Sequence, residues 1–271
     1  MPPVTYAALL ECGWTRHAIR EAIARGSLRR LSRGWYDAGG CSGDELAAAA
    51  RGGRIGCLTA LRDHGVWVPP TTHPHLITPR WQRAGVTGIH HPLPRGRLWE
   101  REAIRYDVVE CLRQVLRHHD VETSLIVLES ACHLRLVSEA TVSELIAERP
   151  KPVTEQLARF DARSESGTET RVRLFLARLG YRVRPQVRIL GVGRVDLLVG
   201  ESLIVECDSH AHHTGEAHYR GDRSRDLHAT ALGYRVVRLT WEQVFLTWTD
   251  TQALLLQHLR TRRYRRPPLA S

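Results

Sequence analysis

Two short apolar runs flank the triplet Gly200-Glu201-Ser202: Val195-Asp196-Leu197-Leu198-Val199 before it and Leu203-Ile204-Val205-Glu206-Cys207-Asp208 after it. Runs of this length, rich in β-branched residues and divided by turn formers, read as the two strands of an antiparallel hairpin. If the three intervening residues form the turn, Asp196 faces Glu206 on one side of the sheet. A two-residue turn would put them on opposite sides. Side chains alternate along a strand, so Leu203, Val205 and Cys207 point one way and Ile204, Glu206 and Asp208 the other.

On that register Asp196, Glu206 and Asp208 converge at one end of a hairpin whose other face is apolar. Clustered carboxylates repel and raise one another's pKa unless a cation neutralises them. Oxygen ligands at this density suit a hard divalent ion, Mg2+ or Mn2+. The other outcome open to them is to splay into solvent or to pair with Arg194, Arg220 or Arg223. A helix opening at Ser166-Gly167-Thr168-Glu169 carries apolar residues Val172, Phe175, Leu176 and Leu179 at helical spacing. Glu169 either caps that helix, as the acid of a Ser-x-x-Glu box, or adds a carboxylate to the cluster.

Elements around the hairpin follow in order. Val183–Leu190 alternates as a strand, and Pro185 within it suits a sheet edge. Residues Tyr219–Leu232 read as a helix ended by Gly233, Tyr234–Thr240 as a strand, and Thr240-Trp241-Glu242-Gln243 as a capping box before a last helix. The order helix–strand–strand–strand–helix–strand–helix gives an α/β sandwich around a mixed sheet. Of the nearby histidines, His210, His212 and His213 could join Cys207 on zinc, but the Cys207 thiol should face the core. One imidazole serving as a general base near a metal-bound water is more economical.

Upstream, Thr5–Glu11 and a helix capped by Thr15 form a helical pair, closed by Gly13 and Gly26. Leu28–Tyr36, LRRLSRGWY, then reads as a basic hairpin turning near Ser32-Arg33-Gly34. Two helices, a tight turn and a basic wing describe a small winged helix-turn-helix. Arg16 and Arg20 lie one turn apart on the face opposite the apolar stripe, where they either meet DNA or stand as solvated surface arginines. Between the ends lies an α+β region, with helices at Leu46–Ala50, Cys57–His64, Val108–His118, Glu122–Arg135 and Ser138–Glu148 and short strands at His75–Thr78 and Val86–His91. Its histidines 73, 75, 90 and 91 lack paired Cys or acids at ligand spacing and read as surface strand residues. A linker at 150–165 precedes the last domain.

A chain of 271 residues suits two or three domains. No stretch approaches the roughly 20 uninterrupted apolar residues of a membrane helix. The start MPPVTYAALL lacks a signal peptide's basic and apolar regions, so a cytoplasmic protein without membrane contact is expected. Six cysteines without a CxxC pair point to reduced thiols. The net charge of +10 is uneven: residues 1–55 carry 8 Arg against 5 acids, 56–150 carry 11 against 11, and 151–271 carry 19 Arg and Lys151 against 13. Basic ends suit a polyanion partner, although one Lys among 39 basic residues also fits a GC-rich coding bias.

The ordered set Glu169, Arg194-Val195-Asp196, Val205-Glu206-Cys207-Asp208, His213, DRSRD at 222–226 and GYRVVRLTWEQV at 233–244 resembles the endonuclease domain related to very-short-patch-repair endonucleases, within the PD-(D/E)XK nuclease superfamily. The resemblance covers about residues 165–262. The segment Arg30–Tyr36 with its preceding helices resembles the N-terminal winged-helix domain of AbiEi-type antitoxins, which similar proteins often carry. Together they imply a winged helix-turn-helix at 1–40, a connecting domain at 41–150, a restriction-endonuclease-like mixed sheet flanked by helices at 165–262 and a basic tail at 263–271. They also imply a metal-dependent DNA endonuclease needing no organic cofactor. Asp196 and Glu206, with the Cys207 carbonyl, match the metal ligands, and Glu169, Asp208 and His213 match catalytic positions. Arg16, Arg20, Arg30, Arg33 and Arg223 are the expected DNA contacts. Three departures stand out: Asp208 where many members have Lys, Ser209 for the usual Gly and His212 for an aromatic. The alternative is an antitoxin-like DNA-binding regulator with an inactive nuclease fold, and RNA as the substrate stays open.

Overall fold

Thr5 and Thr15 each accept a hydrogen bond from the amide three residues on, and these caps open α1 (Tyr6–Glu11) and α2 (Arg16–Ala24). Strands β1 (Val4–Thr5), β2 (Arg29–Ser32) and β3 (Trp35–Asp37) form an antiparallel sheet in the order β1-β3-β2, so the basic hairpin is present. Leu9, Ile19, Ala22, Leu28 and Tyr36 make its core. The computed structural model describes residues 2–78, 88–92, 103–208 and 225–268. The chain is mixed α/β and divides into two units, Met1–Asp120 and Val121–Ser271.

The first unit continues with α3 (Gly43–Ala50), opened by a Ser42–Glu45 capping box, then β4 (Arg54–Ile55), α4 (Cys57–Asp63), β5 (His75–Thr78), β6 (Ile89–Pro92) and α5 (Val108–His118). A second sheet runs β4-β5-β6, with β4 antiparallel and β6 parallel to β5. The helical pair and hairpin, expected as a domain of their own, belong to this unit: the Arg54 guanidinium lies 4.4 Å above the Trp35 ring.

The second unit begins with α6 (Val121–His133), α7 (Glu139–Ala147), α8 (Lys151–Leu157) and α9 (Gly167–Arg178). It continues with β7 (Val183–Ile189), β8 (Gly193–Val199), β9 (Leu203–Asp208), a helix α10 at residues 225–231, β10 (Arg235–Thr240), α11 (Trp241–Phe245) and α12 (Trp248–Arg260). Its sheet runs β10-β9-β8-β7, antiparallel from β7 to β9 and parallel between β9 and β10. Strand β7 with Pro185 is an edge, as the missing N–H requires. One face carries Leu197, Val199, Leu203, Val205 and Cys207 against α9 and α12, and the other carries Leu198 and Ile204 against Ala229 of α10.

The unit boundary differs from the expected one. It falls after Asp120 instead of within 150–165, because α6 is tied to α9. Glu129 on α6, fully buried, pairs with Arg173, accepts the Thr170 hydroxyl at 2.6 Å and accepts the Asp161 N–H at 2.9 Å. The basic tail expected from residue 263 is also tied down at its start. The Tyr264 ring joins the apolar cluster beside α12, and its carbonyl accepts the Glu201 N–H at 2.8 Å. Gly200 permits this: its φ is +62°, and a Cβ there would lie 2.6 Å from that carbonyl oxygen.

Candidate active site

The turn at 200–202 pairs Leu197 with Val205, Leu198 with Ile204 and Val199 with Leu203, the register that a three-residue turn dictates. One step further out stand Asp196 and Glu206, and there each strand's acid takes an amide of the other strand. The Asp196 N–H donates to Glu206 Oε2 at 3.3 Å, and the Cys207 N–H donates to Asp196 Oδ2 at 2.8 Å. Both carboxylates are thereby fixed at the mouth of the hairpin.

Glu169 arrives from the first turn of α9 and joins the carboxyl cluster; its side chain accepts the Glu165 N–H and the Ser166 hydroxyl, not the Ser166 N–H that closes a capping box. Its N–H donates to the Ser166 hydroxyl at 3.2 Å, and that hydroxyl donates to Glu169 Oε1 at 2.9 Å. Its Oε2 accepts the Glu165 N–H at 3.2 Å and Gln186 Nε2 at 2.8 Å, and the same Gln186 amide reaches Asp196 Oδ1 at 3.5 Å. Gln186 lies between the pairs Pro185–Leu197 and Val187–Val195, opposite Asp196, with a left-handed φ of +54°. For a residue with a side chain that conformation is strained. Val195 and Leu197, which strict alternation would place together, fall in different apolar clusters. Gln186 Oε1 is buried with no hydrogen-bond partner among the described residues.

Burial and then the Asp196 charge push the Glu169 carboxyl up to about 7 and that of Glu206 up to about 8. The Arg225 guanidinium, 3.6 Å from Glu206 Oε1, opposes the rise at Glu206. Carboxyls disfavoured as anions beside an unsatisfied carboxamide oxygen are the chemistry that a hard cation would relieve.

The titration has a consequence for stability. Both folded-state values lie above the ordinary 4.5, so these groups favour the folded chain below pH 4.5. That contribution is lost as pH rises through about 7 to 8. Over that window the metal-free protein is expected to lose on the order of 1–3 kcal/mol per group relative to Glu169→Gln and Glu206→Gln. Thermal melts of wild type and both variants in chelator at pH 5 and pH 8 check this, and parallel profiles would contradict it.

The remaining expected site residues are less gathered. The Cys207 thiol sits in the core with Val172, Val205 and Leu239, as alternation requires. Asp208 ends β9 opposite Thr240 of β10. His213 and Arg223, with His210, His212 and Arg220, lie outside the described residues. Arg194 pairs with Glu165 at 2.6 and 2.9 Å instead of with the cluster. Arg16, Arg20, Arg30 and Arg33 are all exposed, and Arg20 Nε donates to the Arg16 carbonyl at 3.3 Å along one face of α2.

Sequence reasoning missed Gln186 and the approach of Arg225 to Glu206. It also misread the middle histidines. His75 and His91 are 1% and 7% exposed and meet Cys57 and His119, whereas His73 is exposed. His90, one residue along β6 from His91, falls on the opposite face of the sheet. No local ligand spacing marks that cluster, because its members come from four separate elements.

Fold and site define a mixed α/β protein with three buried or half-buried carboxyl groups gathered at a hairpin mouth. No family model matches the chain, and no curated protein matches it.

Proposed function

We propose that the chain is a metal-dependent DNA endonuclease that hydrolyses phosphodiester bonds, with an N-terminal DNA-binding module. The observation that carries this reading is the linkage of three acids at the hairpin mouth: Glu169 and Asp196 both accept from Gln186 Nε2, and Glu206 accepts the Asp196 N–H. Those acids occupy the positions that the resemblance to PD-(D/E)XK nucleases assigns to metal binding and catalysis. Asp196 and Glu206 are the residues that would hold Mg2+ or Mn2+, which supplies Lewis-acid polarisation of a phosphate and acidifies water.

The chain's own groups prepare the rest. The amides of Asp196 and Cys207 orient the two carboxylates before anything binds. Gln186 fixes Glu169 against them through its Nε2. Arg225 brings a guanidinium to the same edge, suited to a phosphate oxygen. The exposed arginines of α2 and of the hairpin add sequence-independent attraction for the backbone, which weakens with salt.

Supercoiled plasmid incubated with full-length protein and Mg2+, beside Asp196→Ala and Glu206→Ala, tests the proposal. Cleavage by the wild type, lost in both variants and in chelator, is the expected result. DNA binding without cleavage by the wild type would overturn it in favour of a regulator. Cleavage of RNA alone would reassign the substrate.

A further inference from the structure

Four side chains that the proposed nuclease site does not use meet inside the first unit. They are Cys57 at the first residue of α4, His75 on β5, His91 on β6 and His119 at the end of α5. One ligand atom of each lies within 4.8 Å of those of the other three. His75 Nδ1 and His91 Nε2 are 3.0 Å apart, and Cys57 Sγ and His119 Nε2 are 3.1 Å apart. Tetrahedral zinc, with Zn–N of about 2.0–2.1 Å and Zn–S of about 2.3 Å, separates its ligand atoms by roughly 3.3–3.6 Å. Shifts on the order of 1 Å or less would bring the four onto that geometry.

We propose that Cys57, His75, His91 and His119 form a structural zinc site. One thiolate and three imidazoles favour Zn2+ over Mg2+ or Ca2+, which prefer oxygen. Four protein ligands leave no position open for water or substrate, so the ion's role is to fasten α4, β5, β6 and the end of α5 to one another. Zinc binding displaces the Cys57 thiol proton to solvent, and the imidazoles coordinate in their neutral form.

The surroundings are built for it. Parallel pairing sets His91 beside Ile77, and Ile77 shares a face with His75, so both histidines point the same way. The His75 amide is anchored on Thr59 Oγ1 at 2.8 Å. Cys57 adopts a left-handed φ of +51°, unusual for a residue with a side chain, and its N–H is held by Gln114 Oε1 at 2.7 Å. Gly56 makes that possible, because a Cβ there would lie 2.5 Å from the same Oε1 and 2.6 Å from Ile77 Cγ1. Burial holds the His75 and His91 imidazoles down to about 4 and 3, uncharged at neutral pH, and pushes the free Cys57 thiol up to about 12.

The test is elemental analysis of full-length, untagged protein that has met no chelating resin. About one zinc per chain is expected, retained in an Asp196→Ala/Glu206→Ala double variant and reduced about tenfold or more in Cys57→Ser and His91→Ala. Because those ligand variants could fail to fold, wild-type protein is also stripped with chelator and refilled with Co2+. The visible absorption of tetrahedral cobalt, with a thiolate-to-cobalt charge-transfer band in the near ultraviolet, is then expected. Folded wild type that takes up neither metal would overturn the proposal. So would zinc that is lost with the acids at 196 and 206 but kept in Cys57→Ser, and neither result depends on whether the protein cleaves DNA.

Discussion

Asp196→Asn is expected to lower Mg2+-dependent plasmid cleavage on the order of 10²–10³-fold while leaving the protein folded. The substitution keeps a side-chain oxygen able to accept the Cys207 N–H, now made at 2.8 Å, so the hairpin mouth can hold its shape. It removes the charge whose repulsion raises both Glu169 and Glu206. The metal-free variant should therefore melt at or above the wild-type temperature at pH 8 even as cleavage disappears. That opposition of activity and stability distinguishes a functional acid from a structural one. Wild-type cleavage by Asp196→Asn would contradict the assignment, and so would a large loss of stability accompanying lost activity.

Arg173→Ala is expected to cost about 3–5 kcal/mol, because it leaves Glu129 as an uncompensated charge in the interior. Glu129 is fully buried, and burial already opposes its ionisation, with Arg173 the first influence holding it down. The guanidinium also donates to the Arg159 carbonyl at 3.0 Å, so the loss spreads into the segment before α9. Against a typical total of about 5–15 kcal/mol, such a loss is a large fraction of the stability. Replacing both partners, Glu129→Leu with Arg173→Met, should recover most of it, since no charge is then stranded. Urea unfolding followed by circular dichroism checks both. Arg173→Ala within about 1 kcal/mol of wild type would show that the pair is not what joins α6 to α9.

How much was legible in the sequence follows from how local each signal is. The hairpin register was readable because Gly200-Glu201-Ser202 fixes the turn length and period-2 alternation does the rest. Helix starts were readable from Thr15, Ser166 and Thr240, whose side chains cap as their positions imply. The domain boundary was not, because it is set by Glu129 and Arg173, 44 residues apart, and both look like ordinary surface charges in sequence. Gln186 was hidden for a different reason: nothing in an alternating edge strand announces a left-handed residue. The cysteine–histidine cluster was missed because parallel pairing of β5 with β6 assembles it, and that pairing leaves no short spacing pattern.

Anomalous scattering from Mn2+ soaked into crystals of the full-length protein bears most directly on the acid site. A peak bounded by carboxylate oxygens of Asp196 and Glu206 at about 2.0–2.3 Å, with a Gln186 or Glu169 oxygen nearby, is the expected result. Crystals in which Mn2+ stays away from Asp196 and Glu206 while a guanidinium such as that of Arg225 bridges the two carboxylates would contradict it.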